Sequence, residues 1–90
     1  MILVALQARV TDWKALQLAW HESCTAHRPR LVRRMSLYRN GHDASQVLVL
    51  IEYPDESAHN GADAWQMPLA PCLDFESIEV RMWEVIEQAE

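Results

Sequence analysis

The run Gln46 to Tyr53, QVLVLIEY, is the tightest constraint in these 90 residues. Drawn as a strand, it sets Leu48 and Leu50 on one face and Val47, Val49, Ile51 and Tyr53 on the other. Both faces are apolar, so the strand has to be covered on both sides. A polar stretch, Asn40-Gly41-His42-Asp43-Ala44-Ser45, precedes it. Asn-Gly favours positive φ, which predicts a hairpin into this strand from the one before. Pro54-Asp55 stops the run.

The rest of the chain supplies the neighbours. Residues 2–10 alternate as a strand, with Ile2, Val4, Leu6, Ala8 and Val10 on one face. The opposite face, Leu3, Ala5, Gln7 and Arg9, begins apolar and turns polar. Thr11 or Asp12 caps a helix reaching to about residue 28, where His27 and Arg28 suit the last turn and Pro29 ends it. Its apolar face is Trp13, Leu16, Trp20 and Cys24. Leu31 to Arg39 reads as a second strand, and about Glu76 to Ile86 as the last. Between Tyr53 and Met67, Ser57 or Asp55 starts a short helix through Ala58, Ala62 and Trp65, weakened by Gly61. The order β-α-β-β-α-β predicts an α+β, ferredoxin-like single domain over 1–90, with one antiparallel sheet and both helices on one face.

The bare sheet face bears on partners. A chain this short buries only about 60 to 65% of its unfolded surface. Yet 50% of its residues are hydrophobic, with four Trp and four Met. Burying the second sheet face in a homodimer accounts for that load, at about 25 cal/mol per Å². Cys24 and Cys72 form no disulfide framework, which points to a reduced, cytoplasmic setting. The N-terminus lacks the features of a signal peptide, and no apolar run is long enough to span a membrane. Net charge is -5, split as +4 over residues 1–45 (seven basic, three acidic) and -9 over residues 46–90 (one basic, ten acidic). Five arginines lie between Arg28 and Arg39. With an acidic chain and no nucleic-acid motif around them, they do not read as a nucleic-acid surface. Pairing with Glu76, Glu79 and Glu84 across a dimer interface is the structural reading of that split.

The stretch SLYRNGHDASQVLVLIEYPDES, followed by an Ala-containing helix and Trp65, resembles the dimeric α/β-barrel superfamily, which includes antibiotic-biosynthesis-type monooxygenases. The resemblance implies that two ferredoxin-like sheets form a barrel across a dimer, with a ligand pocket between each sheet and its own helices. It also implies cofactor-independent oxygenase or isomerase-type chemistry on small aromatic or polyketide-like compounds. Haem-degrading members use an Asn on the first strand, a Trp, and a His on the second helix. This chain has Gln7 in that first strand, while His59 and Trp65 fall in comparable later segments.

Within that frame, His21 and His59 are the candidate bases, since imidazole takes a proton near neutral pH. Trp20, Tyr38 and Trp65 are candidate pocket walls for a planar ligand, although aromatics at this spacing equally form core. Arg34 is the candidate for holding a carboxylate or phenolate through its planar fork. His21, Cys24 and His27 share a helix edge, but three positions on one helix do not close a tetrahedral site, so no metal is expected. No GxSxG elbow, nucleotide fingerprint, P-loop or HExxH occurs, and no cofactor is expected. Two function classes stand: a small-molecule binder or enzyme, and a non-catalytic homodimer with a filled core.

Overall fold

Alternation along the first strand organises everything else. In a computed structural model, which describes residues 1–59 and 64–89 without the side chains of Ser57 and His59, β1 runs Ile2–Arg9. It buries Ile2, Val4, Leu6 and Ala8 against the helices and leaves Leu3, Ala5 and Gln7 on the other side. α1 follows (Trp13–Thr25), then β2 (Arg34–Arg39), β3 (Gln46–Tyr53), α2 (Glu56–His59) and β4 (Glu79–Glu84). Among the described residues, 3-10 turns at Ala64–Gln66, Ala70–Cys72 and Phe75–Ser77 lie between α2 and β4. The part of the expected second helix around Gly61 and Ala62 lies outside the described residues.

The sheet order is β2-β3-β1-β4, antiparallel throughout. The doubly apolar β3 is an interior strand, as its composition demands. It pairs with β1 from Ile2↔Tyr53 to Arg9↔Gln46 and with β2 from Arg34↔Glu52 to Arg39↔Val47. Val47, Val49, Ile51 and Tyr53 face the same side as the buried positions of β1. There they meet Leu16 of α1 with Trp65, Leu69 and Leu73 of the later turns, and this is the core. Each large side chain so buried contributes about 1.5–3 kcal/mol.

The expected barrel is not formed. The described strands make one open four-stranded sheet, and its edges, β2 and β4, are not joined. Barrel closure takes about eight tilted strands, whereas four strands turning by roughly 20–25° from one to the next stay open. What holds from the reading is the α+β, ferredoxin-like order with one antiparallel sheet.

Element ends differ from expectation where side chains or carbonyls divert the backbone. Asp12 caps α1, its Oδ1 accepting the Ala15 N–H at 3.1 Å. The helix stops at Thr25 rather than near residue 28, because the Glu22 carbonyl takes two amides, from Ala26 at 2.9 Å and His27 at 3.3 Å. His27 and Arg28 therefore lie beyond the last turn. β2 begins at Arg34 rather than Leu31, since the Val32 N–H turns back to the Pro29 carbonyl. β4 begins at Glu79 rather than Glu76, because Asp74 accepts from the Glu76 N–H and Ser77 Oγ donates to the Asp74 carbonyl at 2.6 Å, winding Phe75–Ser77 into a turn. Asp55 starts α2 by accepting the Ala58 N–H at 3.0 Å.

The hairpin between β2 and β3 is real, but glycine does not make it. Gly41 sits in open space with no positive φ. Asn40 Oδ1 instead accepts the amides of His42 (2.8 Å) and Asp43 (3.2 Å). Asp43 Oδ1 accepts the amide (3.0 Å) and hydroxyl (2.6 Å) of Ser45. These two bonds to Ser45 hold the Asp43 carboxyl below its ordinary range. A depressed folded pKa means the turn gains its support above the unfolded value, near pH 4, and loses it as pH falls through the lower folded value. Exchange of the Ser45 amide, relative to its intrinsic rate, is therefore expected to quicken as pH falls below about 4, and Asp43→Asn to abolish that acid step. An identical acid profile in Asp43→Asn would assign the step to another group.

Candidate functional site

The six residues singled out from sequence do not form one described cluster. Trp20 and His21 come together. α1 lies across the sheet, and its flank toward edge strand β2 leaves a groove of about 560 Å³ lined by Lys14, Gln17, Leu18, Trp20, His21 and Leu37. Trp20 is half-buried against the core and presents its remaining surface to the groove, while His21 is exposed beside it. Helical geometry dictates this arrangement. Leu16 and Ser23, seven residues apart, point into the protein and are fully buried. Lys14, Leu18 and His21, at i, i+4 and i+7, form a stripe on the outward side. Leu37, half-buried on β2, closes the groove opposite. Thr25 Oγ1 donates to the His21 carbonyl at 2.9 Å and fixes the last turn beneath the imidazole.

Tyr38 lies on the opposite sheet face. It is 49% exposed and lines a smaller hollow of about 220 Å³ with Gln7, Asn40, Gln46 and Leu48. The register explains the grouping, since Tyr38, Leu48 and Gln7 stand side by side on β2, β3 and β1. Arg34 lies at the β2 edge, where its Nε meets Glu52 Oε2 of β3 at 3.4 Å. Its acidic partner is thus cross-strand within the same chain, and the acidic β4 lies at the far edge of the sheet.

Trp65 is wholly enclosed, at 0% exposure, between α1 and the sheet. Ser23 Oγ donates to its carbonyl at 2.8 Å, a buried link from α1 to the turn Ala64–Gln66. Its indole Nε1–H is buried with no acceptor among the described residues. The space beneath the helices, where the resemblance implies a pocket, is packed in the described part by Trp65, Tyr53, Leu16 and Leu69, all at 0%. His59 sits on α2, and its side chain lies outside the description.

Elsewhere, Trp13 ties α1 to the hairpin. Its Nε1 donates to the Ala44 carbonyl at 2.6 Å, and the Arg39 guanidinium lies 4.3 Å from its ring centroid, a cation–π contact. His27 faces Glu22 at 3.8 Å. Burial pushes the Cys24 thiol up, with Arg28 acting the other way, and burial together with Asp12 pushes Cys72 up. Thiols so shifted are poorly reactive. Among the described residues no three His, Cys, Asp or Glu side chains are grouped to hold a metal ion. No described helix is long and apolar enough to cross a membrane.

Lys14, Gln17, Leu18 and Leu37 were not among the sequence candidates. For Lys14 and Leu18 the signal was present in the i, i+4, i+7 stripe ending at His21, and Gln17 flanks it one turn before. Leu37 needed the topology, which alone brings β2 alongside the α1 flank.

No protein-family model and no curated protein matches the chain. Solved structures do. A mutant of SnoaB, a cofactor-independent oxygenase from Streptomyces nogalater, aligns at TM-score 0.78 and 13% identity over 97% of this chain and 94% of its own. A candidate antibiotic biosynthesis monooxygenase from Bordetella bronchiseptica aligns at 0.77 and 11% identity, over 96% and 97%. Rv0793 from Mycobacterium tuberculosis aligns at 0.74 and 16% identity, over 99% and 98%. Identities this low speak to architecture and not to chemistry. Near-complete coverage in both directions shows that the chain has the same ferredoxin-like fold as these solved structures.

Proposed function

We propose that this protein binds a small aromatic or polyketide-like compound in the groove between α1 and β2 and acts on it as a cofactor-independent oxygenase or isomerase. The observation that carries the reading is the pairing in one groove of a half-buried indole, Trp20, with an exposed imidazole, His21. The indole offers a flat apolar surface for a ring. The imidazole accepts the proton of a ring hydroxyl, leaving a phenolate whose electron density on the ring carbons reacts with dioxygen or shifts a double bond. A volume of about 560 Å³ is in the range of small-ligand sites. The SnoaB likeness supports the reaction class by analogy of fold. His59 on α2 is the other candidate base, and Tyr38 and Arg34 are further candidates for ligand contact away from this groove, whereas Trp65, expected as a pocket wall, is enclosed in the core.

Oxygen uptake with hydroxylated naphthalenes tests the reading. His21→Asn is expected to lower the rate by about 10²-fold or more, the usual loss for a general base. Trp20→Leu is expected to raise KM with a smaller effect on kcat. Unchanged turnover in His21→Asn would remove His21 from the mechanism.

The assembly belongs to the same proposal. The sheet face away from the helices carries Leu3, Ala5, Leu48 and Leu50 in its middle, with Tyr38 and Trp83 at 49% and 56% exposure toward its edges. A second copy of the chain, packed face to face, covers this surface in a cytoplasmic homodimer. One observation favours a second reading, a non-catalytic homodimer: the fully buried Trp65, Tyr53, Leu16 and Leu69 fill the described space beneath the helices. A wild-type protein that dimerises but neither binds hydroxylated naphthalenes nor consumes oxygen with them would favour that reading.

A further inference from the structure

Lys14 is the only lysine in the chain. It stands in the first turn of α1 and lines the groove that holds Trp20 and His21. Helix stability does not explain it, because a cation in the first turn opposes the helix dipole. Nor do the acidic residues nearest in sequence. Asp12 is engaged as the helix cap, with Oδ1 on the Ala15 amide, and Glu22 faces His27. Among the described residues no carboxylate lines the groove, although the chain carries 13 acidic residues and a net charge of -5. The groove is therefore a region of positive and neutral lining on an acidic protein, a local field that favours anions.

The spacing of the two polar ends adds a shape. Lys14 and His21 are seven residues apart, two turns on nearly the same side of α1, so their Cα atoms are separated by about 10 Å along the axis. Between them lie Gln17, Leu18, Trp20 and, opposite, Leu37. Leu18 is 68% exposed, apolar surface with no cover from the described chain. From one end to the other, the groove presents an ammonium, an apolar and aromatic middle, and an imidazole.

We infer that the ligand of this groove is a hydroxylated aromatic carboxylic acid, its carboxylate seated at Lys14, its rings against Trp20 and Leu18, and its hydroxyl directed to His21. The inference rests on the proposed use of the groove and adds the charge of the substrate and its direction of binding. Lys14 is a specificity residue in this arrangement, and the proton is taken at the other end.

Two probes of like ring size separate the claims: 6-hydroxy-2-naphthoic acid and neutral 2-naphthol, with binding followed by calorimetry on the full chain. Wild type is expected to bind the acid at least about tenfold more tightly than the naphthol, with the preference shrinking as salt rises. Lys14→Met is expected to erase the preference by weakening binding of the acid about tenfold or more, and Lys14→Arg to keep most of it. Equal affinity for the two probes in wild type, or an intact preference in Lys14→Met, would overturn the inference while the groove reading survives. Failure of both probes to bind overturns the groove reading and this inference together.

Discussion

Trp65→Ala is expected to cost about 3–5 kcal/mol of folding stability, the range for emptying a large aromatic site in a core. Trp65 is fully enclosed and packs among core residues of β1, β3 and α1, so its removal leaves a void that the described neighbours fill only by moving the sheet or the helix. Small domains have about 5–15 kcal/mol in total, and the expected fall in Tm is on the order of 20 °C. Trp65→Phe should behave quite differently. The Nε1–H is buried with no acceptor among the described residues, so phenylalanine forfeits no hydrogen bond to them and removes a donor whose burial costs about 1–3 kcal/mol. The smaller ring leaves a void, and the two effects oppose each other. Trp65→Phe is therefore expected within about 1.5 kcal/mol of wild type in urea unfolding. A phenylalanine variant as unstable as the alanine variant would show that the indole N–H has a partner.

Leu50→Glu is expected to leave the chain folded and the homodimer broken. Leu50 stands between Ala5 and Ser36 in the middle of the sheet face that the proposed homodimer covers. It is only half-buried in the chain, so a longer polar side chain is tolerated there. Across a twofold interface the change occurs twice, bringing two carboxylates into the apolar middle of the contact, where their desolvation opposes association. A rise in the dimer Kd of at least about 100-fold is expected, equal to roughly 2.7 kcal/mol. Sedimentation equilibrium reads it directly, with circular dichroism as the check on folding. Wild type that sediments as a monomer at tens of micromolar would end the dimer proposal.

How much of this was legible in advance depends on what each residue's role rests on. β3 was readable to the residue, because Gln46–Tyr53 is apolar on both faces and ends at proline. β1 and the start of α1 were readable from alternation and from Asp12. The helix end at Thr25 and the starts of β2 and β4 were not, since carbonyl sharing at Glu22 and the Asp74–Ser77 turn depend on local geometry that periodicity does not encode. The hairpin was correctly placed for the wrong reason, with Asn40 and Asp43 side chains doing what Gly41 was expected to do. The barrel came with the resemblance, and four strands in an open sheet do not make one. Of the proposed site, Trp20 and His21 line one groove, but neighbours on a helix point about 100° apart, so only the placement of α1 beside β2 brings both to it. Periodicity could not separate Trp65 from Trp20: both are tryptophans near helical segments, yet one is core and the other groove wall.

The side-chain-bonded turn also bears on the order in which the sheet assembles. Joining β2 to β3 at Arg39↔Val47 closes a loop of eight residues (47 − 39), whereas joining β1 to β3 at Arg9↔Gln46 closes one of 37 (46 − 9). On chain entropy alone the longer closure costs about 1.4 kcal/mol more. Hairpins form in roughly microseconds, and distant pairings wait on diffusion of the chain. The interior strand is thus first held from one side by its neighbour in sequence. On the same entropic ground the N-terminal strand is expected to arrive later, and β4, which pairs only with β1 within the sheet, last.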